Sequence, residues 1–243
     1  MNNFISIVND NFYLVIYTDE TSIKYINTNG NNNIKLIIKP LEKFFNYQYK
    51  EYWIKNHSKN YLLNNQSCWE LNMLWSEKVW FVHETYHNQY FKTQYYGWCD
   101  IGYFRNRPDD LPIKFLSNWG NENNIINKQH KIIYALINND NNYLKYLFKL
   151  INAKNTFKLP IQPIPPNQTT IAGGFYLINE ENIDWWSETY DAKLKLYFTN
   201  DYLVKDDQMI LVDCIFSDLD KFLLLREPNK HFDNWFMFQR ILN

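Results

Sequence analysis

Short apolar runs alternate with stretches of helical period along almost the whole chain, and this alternation limits the fold more than any other feature. FYLVIYTDE (12–20) and IKLIIKP (34–40) read as strands, the second stopped by Pro40, with the loop NTNGNNN between them. Aromatics recur at helical spacing in LEKFFNYQYKEYWIKNH (41–57), and Leu71, Leu74, Trp75 and Val79 share one face of a helix predicted over 67–88. A strand from about Gln94 to Cys99 follows, then a strand in KIIYALIN (131–138) and an amphipathic segment over 141–152. The Pro-rich stretch 157–170 cannot be regular throughout, whereas IAGGFYLIN (171–179) returns to strand character. Segments 181–198 and 205–216 read as helices, and 221–227 and 234–242 as strand-like pieces. Strands interleaved with helices imply α/β layers, and the lack of a repeat or clean linker implies one domain over 1–243.

Charge and cysteine usage narrow the function classes. A net charge of −1 and a pI near 6.5 leave no electrostatic footprint for nucleic acid. Cys68, Cys99 and Cys214 lie far apart with no CxxC pair, which argues against a disulfide framework or a Cys-based zinc site. The start, MNNFISIVNDNF, lacks the basic region and unbroken apolar run of a signal peptide, and no run reaches membrane-spanning length. The expectation is a soluble cytoplasmic protein. The Asn-, Lys-, Ile- and Tyr-rich composition fits an AT-rich genome, hence a bacterial cell or one infected by a large DNA virus.

Three constellations carry chemistry. HETYH (83–87) matches the HExxH pattern, in which two imidazoles one turn apart hold zinc and Glu84 acts as base toward a metal-bound water. A catalytic zinc needs a third protein ligand, and the sequence offers none at a required spacing, Glu122 being only one choice. A surface helix end explains the same residues. WCDIG delivers Asp100 to the end of a strand, where ligands of α/β sheets bind and where a carboxylate can hold a divalent cation on a diphosphate. KDDQ (205–208) opens a helix after the glycine pair of AGG (172–174); acids in a first turn also serve as simple caps, and a glycine pair as a bulge.

In order, LNMLWSEKVWFVHE, YFKTQYYGWCDIGYFR, IAGGFYLI, a Trp-containing helix and KDDQMIL resemble the HtrL/YibB-like glycosyltransferases, relatives of the GT-A nucleotide-sugar enzymes, over roughly residues 12–216. The resemblance implies a GT-A-like single domain, with a twisted, mixed, mostly parallel sheet flanked by helices. Its donor-site half would cover about 1–110 and its acceptor-site half about 111–243. It implies transfer of a hexosyl unit from a nucleoside diphosphate sugar, a UDP-sugar first, to a hydroxyl of a glycan, protein or small molecule. The cofactor would be Mn²⁺ or Mg²⁺. Asp100 and His231 would be metal ligands, and Asp207 and Gln208 would form the catalytic, acceptor-side pair. Donor-binding residues would be Asp19 and Glu20 near the ribose, Lys78 toward the phosphates, Trp98, Gly102, and the pair Gly173 and Gly174. A short strand in FISIV would supply the nucleoside-contacting strand with which GT-A enzymes open. Loops 117–130 and 157–170 would order over bound donor, and Trp119, Trp185 and Trp186 are candidate stacking surfaces for an acceptor sugar. The rival classes are a zinc metallopeptidase built on HETYH and a GT-A-like binding protein without turnover. A homo-oligomer is left open.

Overall fold

The longest strand organises the sheet. In this computed structural model, which describes residues 1–108, 110–121 and 130–243, β5 (Ile171–Asn179) lies between β3 (Tyr95–Cys99) and β4 (Ile132–Leu136) and runs antiparallel to both. β6 (Phe222–Leu225) adds parallel to β4, giving the order β3-β5-β4-β6. A separate parallel pair is formed by β1 (Leu14–Thr18) and β2 (Ile34–Ile38). The result is a single α/β domain with helices flanking a small mixed sheet. The expectation of a mostly parallel sheet is corrected, since two of the three pairings in the larger sheet are antiparallel. The reason is legible in β4. All five of its residues are buried, so it carries the continuous apolar run that parallel strands also carry, and direction leaves no trace in such a run.

Both faces of the larger sheet are covered. Ile132, Tyr134 and Leu136 point into one core with helices α5 (Asn141–Asn152), α6 (Ile183–Thr199) and α7 (Asp207–Ser217). Ile133 and Ala135 point into the other, with Phe104, Trp119, Met237 and Phe238. Along β5 this alternation changes phase: Ile171 shares a core with Tyr176 and Ile178, and Ala172 shares the opposite one with Phe175. The phase change falls on Gly173 and Gly174. There the pairing with β4 slips from Tyr134↔Tyr176 to Leu136↔Ile171, while the pairing with β3 stays regular.

Several expected elements change form. The predicted helix over 67–88 is two helices, α3 (Trp69–Ser76) and α4 (Lys78–His87), parted at Glu77. The buried Glu77 carboxylate accepts bonds from the backbone N–H groups of Phe45 (2.6 Å) and Asn46 (2.9 Å), so it caps the turn leading into α2 (Lys50–Lys59). Burial nevertheless pushes its pKa up to about 7. FISIV is not a strand: Asn2–Ser6 form a short helix, α1, whose Phe4 packs on Phe104 and Trp119. The strand-like NWFMFQRIL contains a short turn of helix and then α8 (Phe238–Ile241), because its buried Met237, Phe238 and Leu242 follow a helical rather than an alternating spacing. Among the described residues no helix is long and apolar enough to cross a membrane.

Candidate functional site

A cavity of about 1320 Å³ opens between β1 on one side and β3, β5 and the start of α4 on the other. That is larger than an ordinary small-molecule site. Its floor is ionic. Lys78, the first residue of α4, is pulled under the sheet edge, and its Nζ donates to the carbonyl of Gly173 at 2.8 Å. The same nitrogen lies 3.2 Å from Asp100 Oδ1 and 3.1 Å from Asp207 Oδ2, the latter contact being ionic rather than aligned for a hydrogen bond. Residues from four distant parts of the chain therefore meet at one ammonium group.

Each partner is positioned by local structure. Asp100 follows β3 directly, and its N–H donates to Gly174 O at 2.8 Å, which extends the strand pairing by one residue. Trp98 Nε1 donates to Asp100 Oδ1, and the Trp98 ring stacks on Phe81 of α4 at 5.4 Å. Trp98 thus holds the acid in place. Asp207 opens α7 behind the N-cap residue Asp206. A Cβ on Gly173 would sit 2.7 Å from Asp207 Oδ2, and one on Gly174 would sit 3.4 Å from Asp100 Oδ2. Gly173 is therefore needed for close approach of the acid to the backbone, whereas Gly174 leaves room for ordinary contact. The glycine pair thus marks a slip in the ladder, and Gly173 also makes room for the Asp207 carboxylate.

The charge balance of this group is uneven. Burial alone would lower the pKa of Lys78; the carboxylates of Asp207 and Asp100 outweigh it and raise the pKa, so the ammonium stays charged. Burial pushes Asp207 up to about 6, with Lys78 opposing the rise and Asp206 and Asp100 adding to it. Both directions hold together because one cation serves more than one acid. Asp206 Oδ2 pairs with Lys205 at 2.8 Å, but its Oδ1 and the Oε1 of Gln208 are buried without a partner among the described residues. Gln208 lines the cavity beside Asp207.

The remaining predicted site residues divide. Asp19 lines the cavity at the end of β1, but its two oxygens are taken by Thr21 and Ser22, whose hydrogen bonds hold its pKa well below the usual carboxylate range. Glu20 is exposed and does not line the cavity. Gly102 does line it, and the Arg105 guanidinium lies where a Cβ on Gly102 would be, which gives that glycine a packing reason. His231 is exposed on a turn, its N–H bonded to Asn229 Oδ1 at 3.0 Å, and is not part of the cavity wall. Trp119 and Trp186 are buried in the two cores, and Trp185 stacks under Lys221. Glu122 and most of loop 117–130 fall outside the described residues.

A divalent cation at Asp100 would find one carboxylate, 41% exposed, already shared with Lys78 and Trp98, and among the described residues Asp100 belongs to no group of three side chains spaced to hold a metal. Such a donor set fits an ion that arrives on substrate phosphates and takes one protein oxygen, and does not fit a resident ion held by protein alone. Among the described residues the one group of three side chains spaced to hold a metal is elsewhere: His83, His87 and Asp184. The two imidazoles come from HETYH, and Asp184 from the first turn of α6. Glu84 is not turned to them but paired with Lys39 at the end of β2. The peptidase arrangement, with its base beside the metal, is therefore not assembled.

Sequence reasoning missed Asp184, Lys39 and Arg105. Asp184 lies about a hundred residues from HETYH and carried no spacing signal, whereas Arg105 stood within the WCDIGYFR block and was legible as a cation near Asp100. Compared with known proteins, the chain matches no protein family, no curated protein and no solved structure.

Proposed function

We propose that the cavity transfers a glycosyl unit from a nucleoside diphosphate sugar to a hydroxyl acceptor, as the resemblance to HtrL/YibB-like glycosyltransferases implies. The observation that carries this reading is the convergence of Lys78, Asp100, Gly173 and Asp207 on the floor of one large cavity. These are residues that the resemblance names, from segments that nothing but the fold brings together.

In this reading Asp100 presents a partly exposed carboxylate toward the donor diphosphate. When bound there, Mn²⁺ or Mg²⁺ would neutralise charge developing on the departing nucleoside diphosphate. Lys78 is engaged with Gly173 O and with the carboxylates of Asp100 and Asp207, so its role is to hold the two acids in fixed relation rather than to reach the phosphates. Arg105, exposed at the cavity wall and without an acidic partner among the described residues, supplies the charge that Lys78 cannot. Asp207, desolvated and with a pKa near 6, is ionised at neutral pH yet a stronger base than a solvated aspartate. In an inverting reaction it would accept the acceptor hydroxyl proton; in a retaining one its charge would stabilise an oxocarbenium-like centre. Gln208, whose side-chain carbonyl oxygen has no partner among the described residues, would orient a sugar hydroxyl.

The test is incubation of the full chain with a panel of nucleotide sugars, with and without Mn²⁺, following release of free nucleoside diphosphate. Donor turnover abolished by both Asp100→Ala and Asp207→Ala is the expected result. Full turnover in Asp100→Ala, or no turnover of any donor, overturns the reading. Stoichiometric donor binding without turnover would instead favour the non-catalytic alternative, which the tight pairing of both acids with Lys78 also suits.

A further inference from the structure

We propose that His83, His87 and Asp184 form a binding site for a divalent transition-metal ion, with zinc the best match, that ties α4 to the first turn of α6. The site is independent of the cavity: α4 lines the cavity with Lys78, Phe81, Val82 and Thr85, and neither histidine takes part. His83 and His87 stand one turn apart, their ring centroids 4.2 Å from each other. Both Nε2 atoms face Asp184 Oδ1, at 3.3 Å for His83 and 2.7 Å for His87, and the three ligand atoms all lie within 4.8 Å of one another. Tetrahedral zinc with bonds of about 2.0–2.2 Å holds its ligands roughly 3.3 Å apart. The His83–Asp184 pair already has that separation, the His87–Asp184 pair lies little more than half an ångström inside it, and the two imidazole nitrogens are no more than 4.8 Å apart.

The donor chemistry selects the ion. Two imidazoles and one carboxylate suit zinc, cobalt, nickel or copper, whereas magnesium and calcium require oxygen-rich sets. The ring of His83 leans edge-on against Trp80 at 4.9 Å, which fixes one ligand in orientation before any ion arrives. Glu188 stands one helical turn beyond Asp184 on the same helix but is not part of the three-residue group, so water would complete a tetrahedral shell. Because Glu84 is committed to Lys39, the site lacks a general base; it joins two helices and does not hydrolyse. The competing account is a plain surface ion pair between histidine and aspartate, which binds no ion.

The two accounts part in a metal titration of the full chain. Chelator-treated protein at pH 7.5 is titrated with Zn²⁺ against a chromophoric competitor, with Mg²⁺ as the comparison, and Co²⁺ is used to read coordination geometry from its visible absorption. The expected result is one Zn²⁺ per chain, the intense visible bands of tetrahedral Co²⁺, and no competition from millimolar Mg²⁺. His87→Ala and Asp184→Asn should each weaken Zn²⁺ binding by at least about tenfold, while His130→Ala, at an exposed histidine outside the cluster, leaves it unchanged. His87 and Asp184 are half-exposed, so these two variants report on binding even if His83→Ala fails to fold. Absence of stoichiometric Zn²⁺ binding, or binding undiminished in His87→Ala and Asp184→Asn, overturns the proposal.

Discussion

Helix α4 feeds two ionic clusters from its two ends, and their surroundings are opposite. At its first residue, Lys78 enters a group with Asp100 and Asp207 in which the Lys78 and Asp207 side chains are only 10% and 6% exposed. Near its last turn, His87 meets Asp184 with side chains 48% and 58% exposed. Withdrawing charges from water costs several kcal/mol per ion, and pairing recovers that only where geometry and charge balance are both good. In the buried group one cation faces two acids, and burial raises the pKa of Asp207, so ionising that acid costs stability. The surface group costs little and contributes little. The two clusters therefore differ in what ionisation costs: it is high at Asp207 and low at Asp184.

That comparison can be broken most directly at Lys78. Lys78→Met leaves Asp100 and Asp207 without their cation, and should destabilise the fold by about 3–5 kcal/mol in urea unfolding, with donor turnover lost. A loss below about 1 kcal/mol would mean that the cluster is wetter than its burial indicates. Asp207→Asn should act in the opposite sense on stability. The folded pKa near 6 lies above the ordinary value of 3.8, so the native state holds a proton that the unfolded chain has released between those values. Stability from this group is present below pH 4 and is lost as pH rises through 6, and Asp207→Asn should exceed the parent by about 2 kcal/mol at pH 8. The gain should shrink to nothing toward pH 4, while turnover falls by about 100-fold or more.

Glu77 sharpens the same point from outside the cluster. Its folded pKa of about 7 adds to the loss of stability between pH 4 and 7, so Glu77→Gln should flatten the pH dependence of the parent in thermal melts across that window. The smallest effect is expected at the surface. In metal-free protein Asp184→Ala should change stability by less than about 1 kcal/mol, because exposed pairs are solvated in both states. A larger change would show that α4 and α6 depend on that contact.

How much of this was legible in the sequence varies with the physics involved. β1, β2, β3, β4, β5 and α5 fall within the predicted stretches because their signals are local: apolar period, β-branched content and stops such as Pro40. Strand direction was not legible, since β4 is buried on both faces and reads the same whichever way its neighbours run. The break at Glu77 was hidden because the apolar face of 67–88 continues across it; what parts the helices is a capping bond to Phe45 and Asn46, some thirty residues away. Among the site residues, Asp100, Lys78, Gly173 and Asp207 were named from order along the chain, and the fold brings them within ion-pair or van der Waals distance. Asp184 was out of reach for the same reason as Glu77: its partners lie a hundred residues off, and a lone acid in a first turn is explained by helix capping alone.

The separation of β1 and β2 from the larger sheet has a consequence for motion. This parallel pair shares no ladder with β3, β4, β5 or β6, its residues are at most half-buried, and the cavity lies along its flank. Its ties to α4 are side-chain contacts: the hydroxyl of Tyr17, bonded to Phe81 O at 3.2 Å and Thr85 Oγ1 at 3.0 Å, the Tyr17 ring against Phe81 at 4.6 Å, and the ion pair of Lys39 with Glu84. A unit so attached can open without global unfolding, so its amides should exchange with solvent faster than those of β5. A ligand that fills the cavity touches both bodies at once. Slowing of exchange in β1 and β2 on addition of a nucleotide sugar, with β5 unaffected, would make this flap a reporter of occupancy that requires no turnover.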